Sequence, residues 1–175
     1  MIQRASLIAL TFALGATPAL ADNVQLPIRK AGLWEVTMQV TGVSKTVTPP
    51  MVTQQCTDDS VDRMMNRMSS DSMTCSKQDM SKSGASYVAD SICTVAGSTV
   101  TTHAEATGDF NSAYSVKTVA KTSGGSTLPP EMVTTIEAKW LGACKADQKP
   151  GDMMMPGGMK RNVKDLEKMK ALLPK

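Results

Sequence analysis

Aromatic side chains are scarce in this sequence: two tryptophans, two tyrosines and two phenylalanines in 175 residues. So few rings leave little large apolar surface to bury, and a fold of this size then needs reinforcement from elsewhere. Histidine occurs once, at His103, which excludes a histidine-built metal centre. There is no Cys-x-x-Cys, no Gly-x-Ser-x-Gly and no glycine-rich phosphate loop after a strand. The redox, hydrolase and nucleotide signatures are therefore absent. No segment beyond the N-terminus is long and apolar enough to span a bilayer. A net charge of +3, mixed along most of the chain, argues against nucleic acid as the main partner.

What is present begins with MIQRASLIALTFALGATPALADN. Arg4 supplies a positive n-region, Ser6 to Leu14 is nearly all apolar, and Ala19-Leu20-Ala21 is a small-x-small cleavage site. This is the layout of a secretory signal peptide over residues 1–21, cleaved after Ala21. No cysteine follows the site, so a lipid anchor is not indicated. Removal of 21 residues from 175 leaves 154, a size that suits one domain with a modest core. The expectation is an exported protein, in the periplasm, with no transmembrane span after cleavage.

Cys56, Cys75, Cys93 and Cys144 all lie in the mature part. An even count in an exported chain reads as two disulfides, for which three pairings exist. Ser83-Gly84 is a turn signal midway between Cys75 and Cys93. A hairpin folded there sets these two cysteines opposite each other, close enough for a bond. Cys56–Cys144 then follows by elimination. It closes the longer loop, worth on the order of 4 kcal/mol in the chain-entropy model. Wide spacing and a single histidine argue against a cysteine metal site.

Strand signals fill the middle of the chain. Trp34, Val36, Met38 and Val40 alternate with Glu35, Thr37 and Gln39, the pattern of a half-buried antiparallel strand. After Pro49-Pro50, Met51 to Cys56 reads as a second strand. Val61, Met64, Met65 and Met68 then fall at helical spacing behind Asp58 or Asp59 as cap. Further strands are expected at 73–81, 86–95 and 98–107, with Tyr114, Val116, Thr118 and Ala120 on one face of the next and Met132, Ile136 and Trp140 on the last. The fold class is mainly β: one antiparallel meander forming a strongly curved sheet or partly open barrel, with one short inserted helix and a C-terminal helix. Residues 22–31 form a lead-in, 32–145 the disulfide-stapled β domain, 146–161 a flexible Met/Pro/Gly-rich segment, and 162–175 an amphipathic helix capped by Asn162.

The candidates for chemistry are few. His103 and Glu105 share one face of a strand, but the pattern turns that face outward, as for a solvated pair. Asp58-Asp59 fits a helix start better than a carboxylate pair. Fourteen methionines are many for this length. Met153, Met154, Met155 and Met159 are the thioethers that a Cu(I) site would use, although a Met-rich surface segment needs no metal to account for it. A Met-, Val- and Ala-lined sheet face short of rings has room for an apolar ligand. Such a carrier predicts a cavity behind Trp34 and Trp140. No catalytic residues and no cofactor are expected.

Gly32-Leu33-Trp34-Glu35 near the mature N-terminus, Cys56 followed by Thr57-Asp58-Asp59, the cysteine hairpin and the closing Trp140-Leu141-Gly142-Ala143-Cys144 together resemble the uncharacterised exported bacterial family DUF-3617. The resemblance covers about 32–144 and implies a periplasmic protein without an assigned activity. Relatives carry a Met-Pro-Gly piece soon after the first strand, whereas Met155-Pro156-Gly157 lies here beyond the last cysteine. The expected function is that of a small non-catalytic binding or structural protein, with a carrier of an apolar small molecule and Met-based Cu(I) binding as alternatives.

Overall fold

A computed structural model describes residues 24–43, 49–70, 74–124, 128–165 and 168. The expected signal peptide at 1–21, the side chain of Met68 and most of the expected helix at 162–175 lie outside the described residues. Alternation along Gly32–Thr41 produces strand β1, with Trp34 and Val36 buried. Met51–Thr57 returns beside it as β2, pairing Trp34 with Gln55 and Met38 with Met51. Asp59–Ser70 then forms helix α1. Of the two acids that offered a cap, Asp58 serves: its Oδ1 accepts the Val61 N–H at 2.9 Å and the Ser60 hydroxyl at 2.8 Å. The Val61 N–H first, and the Ser60 hydroxyl second, hold this carboxyl below its ordinary value.

Five strands follow as a meander: β3 (Thr74–Ser83), β4 (Ser86–Val95), β5 (Ser98–Asp109), β6 (Ala113–Ser123) and β7 (Glu131–Gly142). The last of them pairs with β1, so the order becomes β3-β4-β5-β6-β7-β1-β2, extended by two short strands, β8 (Asp152–Met154) and β9 (Lys160–Asn162). Every pair is antiparallel. β3 and β9 stand at the two edges, so the sheet is not closed. The mainly β, antiparallel reading of the sequence holds, with helical residues beginning at Val163.

Both disulfides are those expected. Cys75 and Cys93 are direct cross-strand partners on β3 and β4. Cys56 and Cys144 tie β2 to the chain just past β7. The stretch 146–161, read from sequence as a flexible segment, instead carries β8 and β9 and widens the sheet. Its backbone is fixed by the Gly151 N–H to the Cys56 carbonyl at 2.8 Å and the Val163 N–H to the Gly151 carbonyl at 2.9 Å. Asp152 fastens the turn: it accepts the Lys149 N–H at 2.9 Å and the Asn162 amide at 2.7 Å. The Lys149 N–H, then Asn162, with Lys160 as a lesser charge, hold its carboxyl below the ordinary range. A depressed carboxyl stabilises the fold above its unfolded value and ceases to do so as pH falls through the folded one. Exchange protection of the Gly151 and Val163 amides is therefore expected to fall in acid below the ordinary aspartate range, ahead of that in β5 and β6. Asn162 also accepts the Lys164 N–H at 2.9 Å, in keeping with its expected role as cap.

The Gly-Leu-Trp-Glu start has a steric reason. Gly32 sits at φ 132°, beside an irregularity in the β1–β7 register. A Cβ there would run into the Gly142 carbonyl and come within 2.6 Å of Trp140 Nε1. Gly32→Ala is expected to cost more than about 1 kcal/mol, read as a lower midpoint in urea.

Candidate functional site

Cross-strand partners share a face of a sheet, and alternate residues change face. Followed through the registers, this rule sorts the side chains of β1 and β3–β7 with little ambiguity. One face carries Trp34, Val36, Met38 and Val40 from β1, Ile136 and Met132 from β7, Val116 and Ala120 from β6, and Ala104 and Ala106 from β5. The acidic, basic and histidine side chains of β1 and β4–β7 all lie on the other face, among them Glu35, Glu137, Lys139, Glu105 and Asp90. Across these five strands the sheet is therefore apolar and hydroxylic on one side and carries its charges on the other.

The apolar face is built up from its Trp34 end. Trp34 is fully buried, with Val36 and Ala138, and Tyr114, Ile136 and Trp140 pack around them. Four rings run across the strands from there. Trp34 meets Tyr114 at 5.6 Å, Tyr114 stacks on Phe110 at 4.7 Å, and Phe110 meets Tyr87 edge-on at 6.0 Å. In a protein so poor in rings, this gathers most of them into one line. Phe110 reaches it because Asp109 shapes a tight turn, accepting the Asn111 N–H at 2.9 Å and the Ser112 hydroxyl at 2.8 Å.

Arg29 closes this end of the face. Its Nε donates to Asp62 Oδ1 of α1 at 2.6 Å, and its own N–H reaches Asp62 Oδ2 at 2.8 Å. Its Nη1 donates to Gln55 at 3.2 Å and lies 3.5 Å from the Tyr114 hydroxyl, and its Nη2 lies 3.8 Å from the Met65 sulfur. The side chains of Arg29 and Asp62 are 8% and 4% exposed, so the pair is shielded from water. Burial pushes the Tyr114 phenol above its ordinary value, although the Arg29 charge acts the other way. The next two residues brace the tryptophans. Trp34 Nε1 donates to the Lys30 carbonyl at 2.8 Å and Trp140 Nε1 to the Ala31 carbonyl at 3.2 Å, while the Lys30 ammonium lies 3.6 Å over the Trp140 ring. Where a cavity was expected behind Trp34 and Trp140, the two indole N–H groups meet the backbone carbonyls of the lead-in.

Farther along the same face the side chains are only half-buried. Met38, Val40, Val116, Thr118 and Ala104 belong to neither buried cluster. The apolar side of α1 is turned elsewhere: Val61 and Met64 pack with Val163, and Met65 lies against them. A hollow of about 500 Å³ opens on the opposite, charged face, lined by Glu35, Thr37, Thr107, Ser115, Glu137 and Lys139. Among its charged groups Glu35 faces Lys139 across β1 and β7, as on a solvated sheet surface.

His103 and Glu105 stand exposed on that charged face, as expected, but the partner of His103 is Asp90, at 2.8 Å. Met153 and Met154 are neighbours in β8, paired with Gln55 and Gln54, so the pleat sends them to opposite faces. Met155 and Met159 are joined through backbone, N–H to carbonyl at 2.8 Å, and the Met159 side chain is 54% exposed. Among the described residues no group of three or more His, Cys, Asp or Glu side chains converges as for a metal ion. Arg29 and Asp62 escaped the sequence reading, because an arginine in an aperiodic lead-in gives no sign of a partner 33 positions later. Phe110, set between Gly108-Asp109 and Asn111-Ser112, was a signal that passed unused: turns seldom hold a ring unless it has somewhere to pack.

A disulfide-stapled, open antiparallel sheet whose strands β1 and β4–β7 keep their charges to one face is the class of protein that these features define. The chain belongs to the family described as a protein of unknown function, DUF3617, which matches residues 29–144. That match begins at the buried arginine and ends at the cysteine that closes the long loop, leaving β8 and β9 outside it. No curated protein and no solved structure matches the chain.

Proposed function

We propose that this is an exported, periplasmic binding protein without a catalytic role, and that the half-buried part of its apolar face receives an apolar small molecule. The observation that carries the reading is the segregation of charge: across β1 and β4–β7 one face holds no acid, base or histidine, yet much of it stays partly open. A contiguous apolar surface left open on a folded protein marks an interaction site. Export is supported by the signal-like N-terminal sequence and by two disulfides, which persist in oxidising compartments. The absence of a catalytic role is supported by the lone histidine, whose imidazole faces solvent beside Asp90 on the charged side.

Native mass spectrometry of protein purified from its own cells tests this reading. The expected spectrum shows the two-disulfide mass plus a bound molecule that organic extraction removes. Val116→Glu, which sets an unpaired carboxylate in the middle of the face, is expected to abolish the bound mass, and the milder Val116→Thr to reduce it. Repeated preparations of bare protein would overturn the reading.

A further inference from the structure

The apolar face has a direction, and it bears on what lies there. Lys82, Tyr87, Ala106, Val116, Ile136 and Met38 are successive cross-strand partners on β3, β4, β5, β6, β7 and β1. They make one straight row across six strands, about 24 Å long at ordinary strand spacing. Five of its members are uncharged. The sixth, Lys82, is the only charged side chain on this face of those six strands. Its ammonium lies 5.4 Å from the Tyr87 ring and makes no ion pair among the described residues. Ala106 in this row is buried, whereas the adjoining row, Met80, Ala89, Ala104, Thr118, Thr134 and Val40, is half-buried throughout. The half-buried strip crosses six strands, with a cation at one end. It fits a flexible chain better than a rigid ring system, which needs depth.

Resting on the binding reading above, we propose that the ligand is a single-chain amphiphile with a monoanionic carboxylate head: the chain lies along the half-buried row from Val40 to Ala89 and the head meets Lys82 beyond it. A lone lysine balances one negative charge, which favours a carboxylate over a phosphate dianion. The contact is exposed, so its strength is that of a surface ion pair, up to about 1 kcal/mol or about fivefold in affinity.

The test uses full-length mature protein stripped by organic extraction and titrated by fluorescence with 11-(dansylamino)undecanoic acid, its methyl ester, and dodecyl phosphate as competitor. The acid is expected to bind about fivefold more tightly than the ester, with the gap narrowing at high salt. Lys82→Gln should erase the preference, and Lys82→Glu should reverse it in favour of the ester. Dodecyl phosphate should compete no better than dodecanoate. Equal binding of acid and ester, an acid preference that survives Lys82→Glu, or clearly tighter binding of the phosphate would overturn the proposal while leaving apolar binding in place. If neither dansyl probe binds but native mass spectrometry shows another ligand, the amphiphile is wrong and the binding reading stands. If neither binds and the native protein is bare, both fall.

Discussion

Arg29→Ala is expected to destabilise the protein by about 3–5 kcal/mol, a large part of the stability of a domain this size. The guanidinium is the meeting point of three parts of the fold. It joins the lead-in to α1 through Asp62, to β2 through Gln55, and to β6 through Tyr114. Removing it leaves the Asp62 carboxylate buried without its cation and its Nε donor, and only the backbone N–H of residue 29 still reaches it. The loss comes mainly from that orphaned charge and not from the attraction of the pair, since bringing both ions out of water cost about as much as their meeting returned. The two contributions separate experimentally. Asp62→Asn keeps a polar acceptor and should cost less than Arg29→Ala. Arg29→Met combined with Asp62→Leu replaces the pair by apolar volume and should recover most of the loss. Urea unfolding followed by far-ultraviolet circular dichroism reads all three. If Arg29→Ala matched wild type within about 0.5 kcal/mol, as surface changes do, the pair would be an ornament on a sheet that holds itself together.

The same residues show where the sequence was readable and where it was not. β5, β6 and β7 were legible from residue types that alternate along the strand, β3 and β4 from two cysteines set about the Ser83-Gly84 turn, and the Gly108-Asp109 and Asn111-Ser112 pairs mark the next reversal. The helix was legible from Val61, Met64 and Met65 behind a capping aspartate. The cysteine pairing followed from the hairpin, since register alone fixes which side chains meet. β8 and β9 were hidden: three residues are too few to display a period, and the prolines and glycines around them read as loop. They form because Gly151 and Val163 lock the backbone beside β2, a long-range event that no local pattern encodes. The segregation of charge across β1 and β4–β7 lay half in view. Each strand shows its own alternation, but that the charged sides of five strands coincide depends on every register at once, and one slip would have mixed them. The return of β7 to β1, rather than to a free edge, is likewise a topological fact. It makes β1 the central strand of the Trp34 cluster.

Unlinking Cys56 and Cys144 is the second change with a large expected effect. The bond spans 88 positions and the Cys75–Cys93 bond spans 18. Chain entropy alone assigns about 4.6 kcal/mol to the first and about 3.2 kcal/mol to the second. The local setting widens the difference. Cys56 is 1% exposed, and its backbone carbonyl accepts the Gly151 N–H that begins the β8–β9 extension. Cys75 is less buried and stands on the edge strand β3, where losing the bond frees one border of the sheet and leaves the Trp34 cluster in place. The Cys56→Ala/Cys144→Ala protein is therefore expected to unfold at a lower urea concentration than Cys75→Ala/Cys93→Ala, and to lose exchange protection in β2 and β8 first. The second pair of substitutions should leave β1, β2 and β7 protected while β3 exchanges freely. The opposite order would mean that the hairpin border, and not the junction of β2 with the chain after β7, is what holds this thin sheet in its native register.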